Sequence, residues 1–391
     1  MPKTAPKKGW LAVLGPGQII GASDDDPSGI ATYSQAGAQF GFSMCRVMLF
    51  TFPLMAAIQE IGARIGRVTW QGIAGNIREY YSQWLLRAIV GLLLVANIID
   101  LGADLGAMGE ALALLIHGPV GLYVVGFAVG CVLLEVFVSY ERYVAILKWS
   151  CLTLFAYVAT ALAVDVPWGT VAYNTFIPDF SFKTDYVVAI VAVLGTAITP
   201  YCFFWQSSQE AQDERIDPLA HTPIEAPPVA KVQIGRMRID TYVGMGYSSL
   251  ISFFIIVTTA ATLNAHGITD IQTSSQAAEA LRPIAGIFTF AVSTLIGIGI
   301  DFVGMDPIEA LFWAAVINGV VSVPLTIVMM VMAMAPKVMG DFVLPRALWV
   351  MGWLCTATMT VAVGIMFWAW CLPKHRSGHA APPVAVNKVQ R

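Results

Sequence analysis

The sequence predicts an all-α, polytopic membrane protein in which two helices are broken inside the bilayer. Three observations carry that reading. Of 391 residues, 57% are hydrophobic and only 12% charged, with a mean hydropathy of +0.70. Soluble domains average roughly 45–50% apolar and 25% charged residues. Apolar runs of about 20 residues, the length that spans a bilayer, recur from one end of the chain to the other. Two of these runs are interrupted by polar, proline-containing motifs, at Asp26-Pro27-Ser28-Gly29 and at Thr199-Pro200-Tyr201.

The chain opens with Lys3, Lys7 and Lys8, and no small-residue cleavage site follows, so 1–10 reads as a cytoplasmic tail and not a signal peptide. Residues 11–372 form the transmembrane domain, with about ten spans by the 20-residue rule. They run near 11–40 (interrupted), 43–65, 86–116, 119–140, 143–165, 185–207, 240–263, 284–304, 308–335 and 346–372. Arg64, Arg67, Arg78 and Arg87 lie between the second and third spans, and Arg142 and Lys148 between the fourth and fifth. Arg215, Lys231, Arg236 and Arg238 lie between the sixth and seventh, whereas 166–184 and 264–281 carry almost no Lys or Arg. An excess of Lys and Arg marks the cytoplasmic side, which puts the N-terminus inside. The charged, proline-rich stretch 208–239 reads as the longest cytoplasmic loop, and 373–391 as a polar C-terminal tail.

Other classes fit poorly. A net charge of −3, with no basic cluster interleaved with aromatics, leaves no footprint for nucleic acid. Cys45, Cys131, Cys151, Cys202, Cys355 and Cys371 are scattered and mostly sit in apolar stretches, where they read as small hydrophobes rather than a disulfide framework. His117, His221, His266, His375 and His379 all fall in predicted loops or tails, so no His-based site is expected within the membrane. No cofactor and no obligate protein partner is implied; the lipid bilayer is the environment the composition demands.

The chemistry concentrates in the first span. An Asp at the centre of a membrane helix costs about 2.5–3.5 kcal/mol on insertion scales, and here Asp24, Asp25 and Asp26 are adjacent. Pro27 removes a backbone donor and Gly29 tolerates unusual backbone angles, so the helix should unwind at this point. Unwound backbone at membrane depth lines a cavity or is buried in protein, and freed carbonyls and carboxylates of broken helices hold ions. Apolar and small residues flank the motif on both sides, which argues against a short external loop. The sixth span repeats the pattern with Pro200 among Gly195, Thr196 and Thr199. Two interrupted helices five spans apart are what an inverted repeat of five helices gives, with the site at the repeat interface. In the third span Asp100 and Asp104 are four apart and share a face, with Glu110 beyond; they read equally as an ion or proton path and as carboxylates at a cavity edge. Glu60 and Arg64 have the same spacing and read as an internal salt bridge, Glu135 and Lys148 as packing or loop anchors, and Asn318, with Gly319 and Pro324, as an interruption of the ninth span that lines the pathway or is a plain break in the helix.

Gly15-Pro16-Gly17, Asp26-Pro27-Ser28-Gly29 and Gln35-Ala36-Gly37-Ala38-Gln39-Phe40-Gly41, together with the Thr199-Pro200-Tyr201 region, resemble the Nramp family of divalent metal transporters over most of the first 265 residues. The resemblance implies a LeuT-type fold with a metal held between the unwound parts of the first and sixth helices. It makes Asp26 the principal carboxylate ligand and Thr196 the source of a backbone carbonyl. The family's usual Asp-Pro-Gly-Asn motif puts its Asn ligand on Gly29, and its Met-Pro-His motif falls on Thr199, Pro200 and Tyr201. Its second sixth-helix histidine falls on Gln206, and of its third-helix acidic pair Asp104 remains while the other falls on Ala107. Losing a thioether leaves hydroxyl, carbonyl and carboxylate oxygens, which suit Mg²⁺, Ca²⁺ and Mn²⁺ over softer metals. A site with fewer protein ligands also suits Mg²⁺, which keeps several waters.

The expectation is a membrane transporter of divalent cations of the Mg²⁺/Mn²⁺ type, facilitative or weakly proton-coupled, in a bacterial cytoplasmic (inner) membrane, and not an enzyme. Its metal ligands are Asp26, Gly29, Thr196 and Thr199, with Asp24, Asp25, Asp104, Tyr201 and Gln206 as second-tier pathway residues. The rivals are a carrier of a small organic solute on the same fold, a non-transporting remnant, and an intramembrane enzyme using Asp100 and Asp104. Between Pro283 and Pro307 there is one apolar stretch where the family pattern has two, so the second repeat is short of one span.

Overall fold

The computed structural model describes residues 21, 24–116, 118–137, 151–177, 181, 183–216, 227–271 and 307–371. Every regular element among them is helical. In chain order the α-helices are α1 (Pro27–Phe40), α2 (Cys45–Thr69), α3 (Ile73–Tyr80), α4 (Gln83–Ile116), α5 (Val120–Phe137), α6 (Phe155–Ala163) and α7 (Trp168–Phe176). They continue as α8 (Thr184–Ala197), α9 (Pro200–Ile216), α10 (Pro227–Thr262), α11 (Pro307–Ala333), α12 (Pro336–Met339) and α13 (Arg346–Cys371). Among the described residues, 6 helical stretches are long and apolar enough to cross a membrane: Pro27–Thr69, Gln83–Glu110, Thr184–Gln212, Val232–His266, Glu309–Ala333 and Arg346–Cys371. Val120–Leu134 is a shorter apolar helix. The chain is a multi-pass membrane protein.

Several expectations change here. The stretch 208–239 is not one long loop: α9 runs to Ile216 and α10 starts at Pro227, so helix covers most of it. Within it Glu210, on α9, pairs with Arg67 of α2. Glu60 does not pair with Arg64; it takes Arg238 of α10 at 3.5 Å, while Arg64 donates from Nε to the carbonyl of Phe342. The i, i+4 spacing allowed the first pair, but a neighbouring helix offered the cation first. α11 runs unbroken through Asn318, Gly319 and Pro324. The expected span 284–304, the tails 1–10 and 373–391, the first span before Gly21 and Lys148 lie outside the described residues, as does the side chain of Glu135.

The helices sort by what they can bury. α1 sits at the centre, packed on α4, α8, α10 and α11, and all but its ends is buried. α2 packs against α9, α10 and α13. α4, α5 and α13 present Leu94, Ile98, Leu122, Val129, Val350 and Leu354 outward, as helices facing lipid do. Without a hydrophobic force between helices in lipid, close packing needs small residues at crossings. A Cβ on Gly66 of α2 would run into the backbone of Ser207 on α9, and one on Gly195 of α8 would run into the backbone of Ala315 and Gly319 on α11. These two crossings bring α9 and α8, the halves of the sixth span, against the core.

Candidate metal centre

Both predicted breaks are present, and both resume on proline. Residues 24–26 are unwound between helical Gly21 and Pro27, and Ile198 and Thr199 separate α8 from α9. Pro27 and Pro200 are the first residues of their half-helices. At that position a proline lacks only an N–H that would have no intrahelical partner, and its fixed φ suits the helix. The prolines therefore mark where each helix restarts.

Asp26 caps α1. Its Oδ1 accepts the backbone N–H of Gly29 and the hydroxyl of Ser28, each at 2.7 Å, and its Oδ2 accepts the Tyr201 hydroxyl of α9 at 2.8 Å. One carboxylate thus ties the first break to the second. Gly29 has ordinary helical geometry, since the positive-φ glycines among the described residues are Gly41, Gly267 and Gly340. It offers its N–H to Asp26, and its carbonyl, being inside a helix, runs along the axis. What requires glycine here is space: a Cβ would lie 3.2 Å from the Thr196 hydroxyl and 3.4 Å from Asp26 Oδ1.

At the second break, the Thr199 hydroxyl donates to the Thr196 carbonyl, and Ser322 of α11 donates to the Ile198 carbonyl at 2.8 Å. Side chains thereby satisfy backbone acceptors that unwinding released, as a membrane interior requires. Thr196 and Thr199 are both buried behind Asp26.

A cavity of about 570 Å³ opens beside Asp26. One wall is a face of α9 formed by Tyr201, Phe204, Trp205 and Ser208; the other is a face of α4 formed by Leu93, Asn97, Asp100, Leu101 and Asp104. None of the described lining residues is basic. Carboxylate oxygens of Asp26, Asp100 and Asp104 lie within 4.8 Å of one another. At an effective dielectric of about 20, two unit charges at that separation repel by roughly 3–4 kcal/mol, so this cluster gains by taking up positive charge.

Of the expected residues, the structure brings Asp26, Asp104 and Tyr201 to the cavity. It turns Asp24 and Asp25 the other way, toward α10. Ser248 lies 3.0 Å from Asp24 Oδ2, Ser252 lies 3.1 Å from Asp25 Oδ1, and Cys202 lies 3.5 Å from Asp24 Oδ1. Gln206 is also off the cavity, donating to Thr241 of α10 at 2.7 Å. Sequence reasoning set Asp100 beside the main site, as one of a pair that could form an ion or proton path, and missed Asn97. The signal available was the i, i+3, i+7 row of Asn97, Asp100 and Asp104 along one face of an otherwise apolar span.

Helices broken at the first and sixth spans, packed around a carboxylate that bridges the breaks, define the LeuT-type, broken-helix architecture of membrane transporters. A sequence model of the Nramp family ("Natural resistance-associated macrophage protein-like") matches residues 17–300 and 287–369. The chain belongs to the Nramp family. It is 27% identical over 313 residues to a divalent metal cation transporter of Ralstonia nicotianae, covering 76% of this chain and 66% of that one. It is 25% identical over 283 residues to a divalent metal cation transporter of Verminephrobacter eiseniae, covering 71% and 62%. The chain thus spans under two thirds of the length of those relatives. A crystal structure of a mutant of the Eremococcus coleocola manganese transporter has the same fold, with a TM-score of 0.73 at 17% identity over 95% of each chain.

Proposed function

We propose that this protein carries divalent cations of the Mg²⁺/Mn²⁺ type across a bacterial cytoplasmic membrane, with its N-terminus inside. The observation that carries the reading is the position of Asp26: it joins the two helix breaks and faces a cavity whose described lining has three carboxylates and no basic residue. Membership of a family whose relatives are named divalent metal cation transporters supports it. Asp26 supplies the principal charge. Thr196 and Thr199 shape the floor behind it, their mutual hydrogen bond holding the unwound turn. With Thr199 in place of a soft ligand, the donor set is oxygen, which suits Mg²⁺ and Mn²⁺. The sixth-helix histidines are replaced by Tyr201 and Gln206, and the movement is facilitative.

Two of the rivals fare less well. A carrier of an anionic organic solute needs a positive partner in the cavity, and none of the described lining residues supplies one. An enzyme reading finds Asp100 and Asp104 beside a third carboxylate, with no activated nucleophile among the described lining residues. A non-transporting remnant draws support from the family match, which comes in two pieces overlapping at 287–300, as a lost span would leave it.

Flux into proteoliposomes decides between transporter and remnant. Saturable Mn²⁺ and Mg²⁺ entry, abolished by Asp26→Ala, is the expected outcome; wild-type protein that is folded and inserted but moves neither ion would end the transport reading.

A further inference from the structure

The α4 wall of the cavity carries buried oxygens that no protein donor satisfies. Asp100 Oδ1, Asp104 Oδ1 and the Asn97 amide oxygen are each buried without a hydrogen-bond partner. All three residues line the cavity, from one face of α4, and Asp100 as a whole is 5% exposed. Asn318 of α11, 1% exposed, and Ser28 reach Asp100 with their side chains, and the Ser28 backbone reaches Asp104, so Oδ1 is the open oxygen of each carboxylate. The contrast with Asp26 is direct, since both of its oxygens already accept hydrogen bonds from Ser28, Gly29 and Tyr201. Buried polar groups in native proteins are satisfied, and a cluster of bare oxygens marks a place where something else does the satisfying.

We infer that α4 supplies the second half of the ion site, in which Asp100 and Asp104 bind a hard divalent cation directly together with Asp26, and Asn97 offers the next oxygen one turn along. The inference rests on the transport reading above and goes beyond it: it moves most of the coordination from the unwound turns of the first and sixth spans to an unbroken helix. The geometry suits one ion. Oxygens within 4.8 Å of one another can close on a cation at the 2.0–2.6 Å typical of Mg²⁺ and Ca²⁺. Asn97 is three residues from Asp100, about 4.5 Å along the axis, so it reaches the ion through a retained water or receives it on the way. Carboxylate, amide and water oxygens form an all-hard donor set with no thioether or imidazole. Coordination by a continuous helix also allows Thr196 and Thr199 to serve only as backbone satisfiers.

The test uses Tb³⁺, an oxygen-seeking probe whose emission is excited by a nearby indole, on the purified full chain in detergent. Trp205 lines the same cavity, so Trp205→Phe identifies the part of the emission that comes from this site. Expected are saturable emission, displacement by Mn²⁺ and Mg²⁺, and binding weakened roughly tenfold or more in Asp100→Asn, since losing even an outer-shell partner costs 10–100-fold. Asp100→Glu restores part of the affinity, and Asn97→Ala weakens binding several-fold should Asp100→Asn not fold. Wild-type affinity in Asp100→Asn and Asn97→Ala, with loss in Asp26→Asn, would overturn the inference and leave the transport reading standing. Emission unaffected by Trp205→Phe, or not displaced by Mn²⁺, would also overturn it. Ion flux measured on the same preparation reports separately on transport.

Discussion

Asp26 has two tasks that ask different things of its carboxylate. As the N-cap of α1 it needs an oxygen that accepts from Gly29 and Ser28; as a ligand it needs charge. Asn caps a helix about as well as Asp, whereas Ala costs roughly 0.5–2 kcal/mol. The two substitutions therefore separate the tasks. Asp26→Asn is expected to unfold within a few tenths of a kcal/mol of wild type while losing divalent flux. Asp26→Ala is expected to lose flux and about 1 kcal/mol of stability. Chemical unfolding in detergent beside the flux assay reads both, and an Asn variant that still transports would make Asp26 a cap alone.

Among the elements, the crossings of small residues hold the broken span in place. The Cβ that Gly66→Val would add has no room against the Ser207 backbone, and the same holds for Gly195→Val against α11. Overpacking of this kind typically costs 1–3 kcal/mol. Both variants are expected to unfold earlier in a denaturant titration and to weaken Mn²⁺ binding, because either one pushes α8 or α9 away from Asp26. Gly364→Ala on α13 is the control: nothing lies within 4 Å of the added methyl, so stability should be unchanged or slightly raised. Equal losses at Gly66 and Gly364 would mean that backbone flexibility, not close approach, is what these glycines provide.

For the whole molecule, the question is whether ion movement is tied to protons. The histidines of the family's sixth helix are absent, and the cavity wall carries Tyr201 where one of them would stand. Uncoupled transport predicts that Mn²⁺ entry into proteoliposomes brings no acidification of the lumen and that an imposed pH gradient does not drive uptake. A pH-sensitive dye trapped inside measures this; lumenal acidification that follows Mn²⁺ dose would establish coupling and turn attention to the carboxylates of α4.

Much of this protein was legible before any coordinate. The bilayer penalises unsatisfied backbone and isolated charge, so the long apolar runs point to membrane helices, and a proline-bearing acidic motif inside one points to a break that is buried or lines a cavity. Asp26 and both interruptions follow from that. The sequence could not say which way each carboxylate points, because the three neighbours Asp24, Asp25 and Asp26 look alike in one dimension. A turn of unwound chain sends the first two toward Ser248 and Ser252 and the third toward α4. Nor could spacing within α2 reveal that Glu60 would find Arg238 on another helix. Local rules act through the period of a helix and the solvent around it, and these sequence states outright. Partners across helices depend on how faces turn and meet, and that is settled only when the helices pack; it is packing that gathers Asp100 and Asp104 with a carboxylate more than seventy residues away.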